Sequence, residues 1–265
     1  MPHMYFTLTA GRTGSAWLAH FLGQTLAQPA VHEPLSIDDF GVHMPDIRLM
    51  RWFNSRGLDA EVRRFWQQKL ADLPEDRDYI ETNHTLSKCG LVEALADHPR
   101  RKDAKIIVLK RDLARQCASY LMRHDFTNIT TIWQWYLSSD YANIIVNPEL
   151  FSGLGASGQV LWYAHEMECR QIYYQRKFSD ALTFVEADLE TVTQPQGAAD
   201  LLDQLEIAVP AVLPPKANAN SLPTPPKLVE DIRRVLSVFE FDAQDAVTQF
   251  LDLGRSLDLE QRQAA

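Results

Sequence analysis

The sequence predicts an α/β fold, a central parallel β-sheet flanked by helices. Three observations carry this. Short apolar segments with β character recur along the chain, separated by helical patterns of ordinary length. Residues 105–110 (KIIVLK) are apolar between their two lysines, as befits a central strand covered on both faces. The first apolar run stops at Ala10, and a glycine-bounded turn leads straight into an amphipathic run.

The elements follow in order. Residues 4–9 form the first strand, and the helical pattern 14–26 follows the turn at 11–15. A short β segment lies near 30–32. Residues 34–52, with Met44, Met50 and Trp52, read as a loop able to act as a lid. Next come a helix over 59–73, a strand over 79–83, a helix over 87–97 and the strand at 105–110. Helical patterns cover 112–123, 129–143 and 158–178, followed by a strand over 181–186 and a helix over 195–205. Residues 210–226 hold six of the fourteen prolines and read as an extended loop. Helices over 227–240 and 243–257 close the chain. That last part is too short for its own core, so residues 1–265 are expected to form one domain.

Composition narrows the function. A net charge of −9 argues against a general nucleic-acid binder, so any anionic ligand must be held by local arginines. Cys89, Cys117 and Cys169 are far apart and odd in number, which fits a reducing compartment and neither a disulfide frame nor a zinc site. No apolar run reaches the ~20 residues of a membrane span. The first strand begins almost at once, leaving no room for a signal peptide, and a cytoplasmic location is expected. A homo-oligomer stays open.

The turn Gly11-Arg12-Thr13-Gly14-Ser15 points backbone N–H groups, hydroxyls and one guanidinium at a single spot beside a helix N-terminus. That suits a phosphate or sulfate. Two residues separate its glycines and no lysine follows Gly14, so it is not the nucleoside-triphosphate loop G-x-x-x-x-G-K-S/T. The dinucleotide pattern G-x-G-x-x-G is also absent. Taken alone, the turn is equally compatible with a plain strand-to-helix connection. A second constellation adds to it. The strand at 105–110 ends in Arg111, Asp112 can cap the next helix, and Ser119 lies eight residues after Arg111. Arg111 then sits on the rim where open α/β sheets bind ligands.

Together these residues resemble the sulfotransferases that use 3′-phosphoadenosine 5′-phosphosulfate (PAPS). That family's first signature is a strand, then Pro/Gly, Lys/Arg, Ser/Thr, Gly, Ser/Thr, a small or hydroxyl residue and often Trp. Here it reads Gly11, Arg12, Thr13, Gly14, Ser15, Ala16, Trp17. The second is a strand followed by Arg with Ser eight residues on, matched by Arg111 and Ser119. Residues 184–189 (FVEADL) are similar to a later strand-end element. The resemblance covers roughly residues 4–206.

It implies a P-loop NTPase-like sulfotransferase fold and transfer of a sulfuryl group from PAPS to a hydroxyl or amine of a carbohydrate or small molecule, releasing PAP, without a metal. Residues 12–16 would hold the 5′-phosphosulfate. Arg12 stands where many members have lysine and keeps the positive charge for the leaving phosphate. Ala16 lacks the usual hydroxyl, and Trp17 would lie near the adenine or in the core. Arg111 and Ser119 would bind the 3′-phosphate. The family's glycine-rich C-terminal donor loop has no good match; residues 215–223 (PKANANSLP) stand there, with Lys216 as substitute.

Two general bases are on offer. Glu33, in Val31-His32-Glu33-Pro34-Leu35, resembles the glutamate segment of carbohydrate and tyrosylprotein sulfotransferases, and ranks first because its local match is longer. His84, after the strand at 79–83, resembles the histidine of small-molecule sulfotransferases and has the more suitable unperturbed pKa, ~6.5. His32 could orient Glu33. Arg123, His124, Asp125, Trp133, Trp135 and Tyr136 follow the second signature and either line an acceptor cleft or pack in the core. His165-Glu166 lacks the second histidine of a zinc-protease helix. The alternatives are a nucleotide-dependent phosphotransferase and a noncatalytic PAP-binding protein.

Overall fold

The structure is a computed structural model that describes residues 2–33, 37–126, 136–215 and 223–260. Five strands form one all-parallel sheet: β1 (Met4–Leu8), β2 (Ala30–Val31), β3 (Tyr79–Glu81), β4 (Ala104–Lys110) and β5 (Thr183–Asp188), in the order β2-β3-β1-β4-β5. The central register pairs Met4 with both Tyr79 and Ala104.

Successive strand residues point to opposite faces, and both faces are covered. Phe6, Leu8, Ile106 and Val108 belong to the larger core cluster. It is filled by α2 (Ile47–Arg56), α3 (Ala60–Ala71), α4 (Leu91–Ala96), α5 (Leu113–Arg123), α6 (Ala156–Phe178), α9 (Pro226–Phe239) and α10 (Ala243–Asp252). Tyr5, Ile107 and Leu109 belong to the other, under α1 (Ser15–Leu26), α7 (Leu189–Val192) and α8 (Pro195–Gln204). Strands covered on both sides are near-continuously apolar for this reason.

Three sequence expectations need correction. Residues 47–56 are helical, although the sequence reads a loop over 34–52: Asp46 caps α2 by accepting the Leu49 N–H at 2.8 Å. The helix expected over 87–97 is divided at Gly90, whose φ of 88° separates a 3₁₀ turn (Leu86–Cys89) from α4. A Cβ there would meet the Phe53 ring at 2.9 Å. Of the helix expected over 129–143, residues 129–135 lie outside the described residues and 136–143 form turns. There Ser138 and Asn143 hydrogen-bond locally and across the fold, competing with helical pairing.

Candidate active site

The carboxyl edge of the sheet gathers one charged or titratable residue from beyond each strand: Arg12 after β1, Glu33 after β2, His84 after β3, Arg111 after β4 and Glu190 after β5. β1 is the central strand, where the direction of strand addition reverses, the place at which open α/β sheets bind ligands.

The β1–α1 loop is shaped by three left-handed residues, Gly11, Arg12 and Gly14, at φ 84°, 56° and 89°. A Cβ on Gly14 would fall 2.4 Å from Leu189 Cδ1, and φ 89° itself favours glycine there. Arg12 takes a conformation that costs a non-glycine residue about 1–2 kcal/mol, and hydrogen bonds help to hold it. Its Nε donates to Ser119 Oγ (3.0 Å), and Arg111 Nη1 donates to its carbonyl (2.8 Å).

The other carbonyls nearby are also taken. Tyr120 Oη and Gln116 Nε2 donate to Gly11 O at 2.8 and 3.0 Å, and Tyr163 Oη donates to Ala10 O at 2.7 Å. Thr82 Oγ1 donates to Ser15 O at 2.8 Å, and the Thr13 hydroxyl is paired with that of Thr9. By contrast, α1 has no side-chain cap, and among the described residues the N–H groups of Thr13 to Trp17 find no protein acceptor. Donors therefore collect at the positive end of a helix, where an anion is stabilised.

The second station adjoins the first. Arg111, at the end of β4, and buried Ser119, two turns along α5, both touch Arg12. Glu190 stands 3.9 Å from Arg111 Nε, too far for a hydrogen bond, and its Oε2 accepts the Asp112 N–H at 3.3 Å. Among the described residues, buried Arg111 Nε has no hydrogen-bond acceptor. Burial, with Arg12 adding repulsion, moves the Arg111 pKa below its ordinary value, yet the guanidinium stays charged. A charged donor held beside a second arginine fits a phosphate oxygen.

His84 packs over the loop: a Cβ on Gly11 would meet its Cγ at 3.3 Å. Its Nδ1 lies 2.9 Å from Lys88 Nζ, and its ring stacks on Tyr136 at 5.9 Å. Burial, reinforced by the charges of Lys88, His32 and Arg12, pushes the His84 pKa well below the ordinary imidazole value, so it is neutral at pH 7. Glu33 is farther out, with its side chain 54% exposed, and its carboxylate meets His32 Nε2 at 3.4 Å. The Thr82 carbonyl accepts from His32 Nδ1 at 3.0 Å, so the contact with Glu33 becomes a full ion pair when the ring is protonated.

Other sequence candidates fall elsewhere. Trp17 is buried against Phe21, its ring stacked at 5.1 Å, and belongs to the core. Ala16 is half-buried at the start of α1. Lys216, Trp133, Trp135 and Pro34 lie outside the described residues. His165 packs on Phe241 (4.5 Å), and Glu166 pairs with Arg170 (2.7 Å) within the helical layer. All three cysteines are buried and free. No helix among the described residues is long and apolar enough to cross a membrane.

Sequence reasoning missed Lys88, Gln116, Tyr120, Tyr163 and Glu190. Lys88 alone had a local signal, four residues after His84 and so about one helical turn on. The rest reach the loop through tertiary packing. A scan against protein-family models finds no match, and a search of curated proteins finds no significant relative.

Proposed function

We propose that this chain transfers the sulfuryl group of PAPS to a hydroxyl or amine of a carbohydrate or small-molecule acceptor, on a P-loop-like sulfotransferase fold. The observation that carries the reading is the contact of both Arg111 and Ser119 with Arg12. Two stations for negative charge, a hundred residues apart in sequence, thus lie side by side, within the span of one nucleotide bearing phosphates on its 3′ and 5′ carbons.

PAPS supplies an activated sulfuryl group whose leaving group is a phosphate. The N–H groups of residues 13–17 and the Arg12 guanidinium bind that end and stabilise the charge that develops there. Arg111 and Ser119 bind the 3′-phosphate, with Arg111 Nε as an available donor. Arg12 touches both stations and orients the nucleotide. His84, neutral and beside the loop, takes the acceptor's proton. Glu33 acts at the rim, through His32 or on the acceptor itself. Proximity to the loop favours His84 over the more exposed Glu33 as the base, reversing the order suggested by local sequence match.

The test combines ligand-dependent melting with radiolabelled donor and a panel of acceptors. PAP and PAPS are expected to raise the melting temperature without magnesium, and label is expected to reach an acceptor. His84→Gln is expected to lose at least about a hundredfold in kcat with donor affinity unchanged, and Glu33→Gln about tenfold or less. Stabilisation by ATP with magnesium and none by PAP would identify a phosphotransferase. PAP binding without transfer to any acceptor class would identify a noncatalytic binder.

A further inference from the structure

The amine of Lys88 is buried among rings, in contact with the imidazole assigned above as the base. Its side chain is 0% exposed, on the 3₁₀ turn that follows β3. The Nζ lies 2.9 Å from His84 Nδ1 and 3.2 Å from Tyr163 Oη, and it faces the rings of Tyr136 and Tyr163 at 5.3 and 5.6 Å. Asn54 fixes the turn by donating from Nδ2 to the Lys88 carbonyl at 2.8 Å. Among the described residues, His84 Nε2 has no hydrogen-bond partner.

An ammonium has donors only, whereas a neutral amine also accepts. A protonated Lys88 must donate to His84 Nδ1. The single proton of the neutral imidazole then sits on Nε2, and that nitrogen cannot accept another. A neutral Lys88 gains a lone pair that can accept from Nδ1–H, and in that arrangement the Nε2 lone pair is open. We propose that Lys88 is the positioning residue of His84, its protonation state deciding which imidazole nitrogen carries the proton and so whether Nε2 can act as a base. The inference rests on the reading of His84 as that base.

The surroundings set where the change falls. Burial, with the charge of Arg170 on α6 adding to it and the Cys89 thiol opposing it, lowers the Lys88 pKa to about 7. Arg12 from the first loop and His32 from the β2 end face His84 and disfavour its imidazolium. Tyr163 from α6 and Tyr136 have hydroxyls whose pKa values burial raises, so both stay neutral. Lys88 therefore titrates while the imidazole remains uncharged. As pH rises, the ammonium loses one proton to solvent and the imidazole proton passes from Nε2 to Nδ1.

Imidazole nitrogen spectra of the ¹⁵N-labelled full chain test this without any donor or acceptor. Between about pH 5 and about pH 9, His84 is expected to change from the Nε2–H to the Nδ1–H tautomer, with a midpoint at about 7. In Lys88→Gln the tautomer is expected to be independent of pH. In Lys88→Arg it is expected to stay Nε2–H throughout, since guanidinium does not titrate in this range. The transfer rate of the unmodified protein is expected to rise about tenfold for each pH unit on the acid side of the midpoint, a limb that Lys88→Gln removes. One tautomer at both ends of the range, or an unchanged midpoint in Lys88→Gln, overturns the proposal. A tautomer exchange in a protein that transfers no sulfuryl group upholds Lys88 as the switch and removes the sulfotransferase reading. Transfer without the exchange does the reverse.

Discussion

Arg111 carries the sharpest consequence at the scale of one residue. Its Nη1 bond to the Arg12 carbonyl supports the loop, and its Nε is the donor left for a ligand. Arg111→Ala is expected to weaken PAP binding by about 1.5–3 kcal/mol, the worth of a charged hydrogen bond. Adenosine 5′-phosphosulfate, which has no 3′-phosphate, should lose less, and only through the loosened loop. Calorimetry with both ligands checks the difference; equal losses would place the 3′-phosphate elsewhere. Glu93, on α4, makes a separate prediction about stability. Burial, with Asp258 adding to it against Tyr174 and Lys177, raises its pKa from 4.5 to about 7. Between those values the native state holds a proton that the unfolded chain has lost, so stability falls as pH rises through that window. Above about 7 the penalty is complete, on the order of 3 kcal/mol. Glu93→Gln should flatten the decline. Urea melts of both proteins should converge near pH 4.5 and separate by pH 8, with the variant the more stable.

At the scale of elements, the legible features were those written in local pattern. Residues 105–110 were readable as a central strand because two covered faces demand an unbroken apolar run. The turn at 11–15 was readable because glycines mark its left-handed positions, and Arg111 and Ser119 because a strand end and a helical spacing place them. The α2 helix was hidden behind Pro34, Gly41 and Pro45, although Asp46 is an ordinary helix-start residue. Residues 136–143 have helical composition, but their conformation is decided by distant partners, the Leu257 carbonyl for Asn143 Nδ2 and Asp125 for Tyr136 Oη. Tyr120, Gln116 and Tyr163 escaped notice for the same reason: they reach the loop through tertiary packing. The contact between Gly14 and Leu189 tests the joint between the β1–α1 loop and the β5–α7 connection. Gly14→Ala adds a Cβ that both strains φ at 89° and meets Leu189 Cδ1 at 2.4 Å. A loss of about 1–3 kcal/mol is expected, with weaker PAP binding because the loop N–H groups turn away. Adding Leu189→Ala removes the collision and leaves the dihedral strain, so it should recover PAP binding only in part. Full recovery would mean that the left-handed conformation is dispensable.

Across the whole molecule, the site is held from behind by one buried polar network. Arg170, fully buried on α6, donates from Nε to Glu166 Oε1 (2.7 Å), from Nη1 to Asn54 Oδ1 (3.0 Å) and from Nη2 to Asn143 Oδ1 (3.1 Å). Glu166 Oε2 accepts the N–H groups of Ile145 and Val146, both at 2.9 Å. Asn54 passes the connection from α2 to the carbonyl of Lys88, and Asn143 passes it to the Leu257 carbonyl near the end of the described chain. One guanidinium thus joins two helices, a turn region and the segment beside His84. Arg170→Met keeps much of the volume and leaves Glu166 as a buried carboxylate without its counter-charge. The expected loss is about 3–5 kcal/mol. Replacing Glu166 by Leu as well would not restore it, because the Ile145 and Val146 N–H groups would lose their acceptor. Arg170→Met with Glu166→Gln should recover a large part, since an amide oxygen still accepts both N–H groups and no charge remains. Hydrogen exchange should then separate global from local effects. With the lattice cut at Arg170, Asn54 loses its orientation, and the Leu86–Cys89 turn should open before the central strands do. If the turn and the strands lose protection together in the double variant, the network serves the fold as a whole and has no special hold on the Lys88–His84 pair.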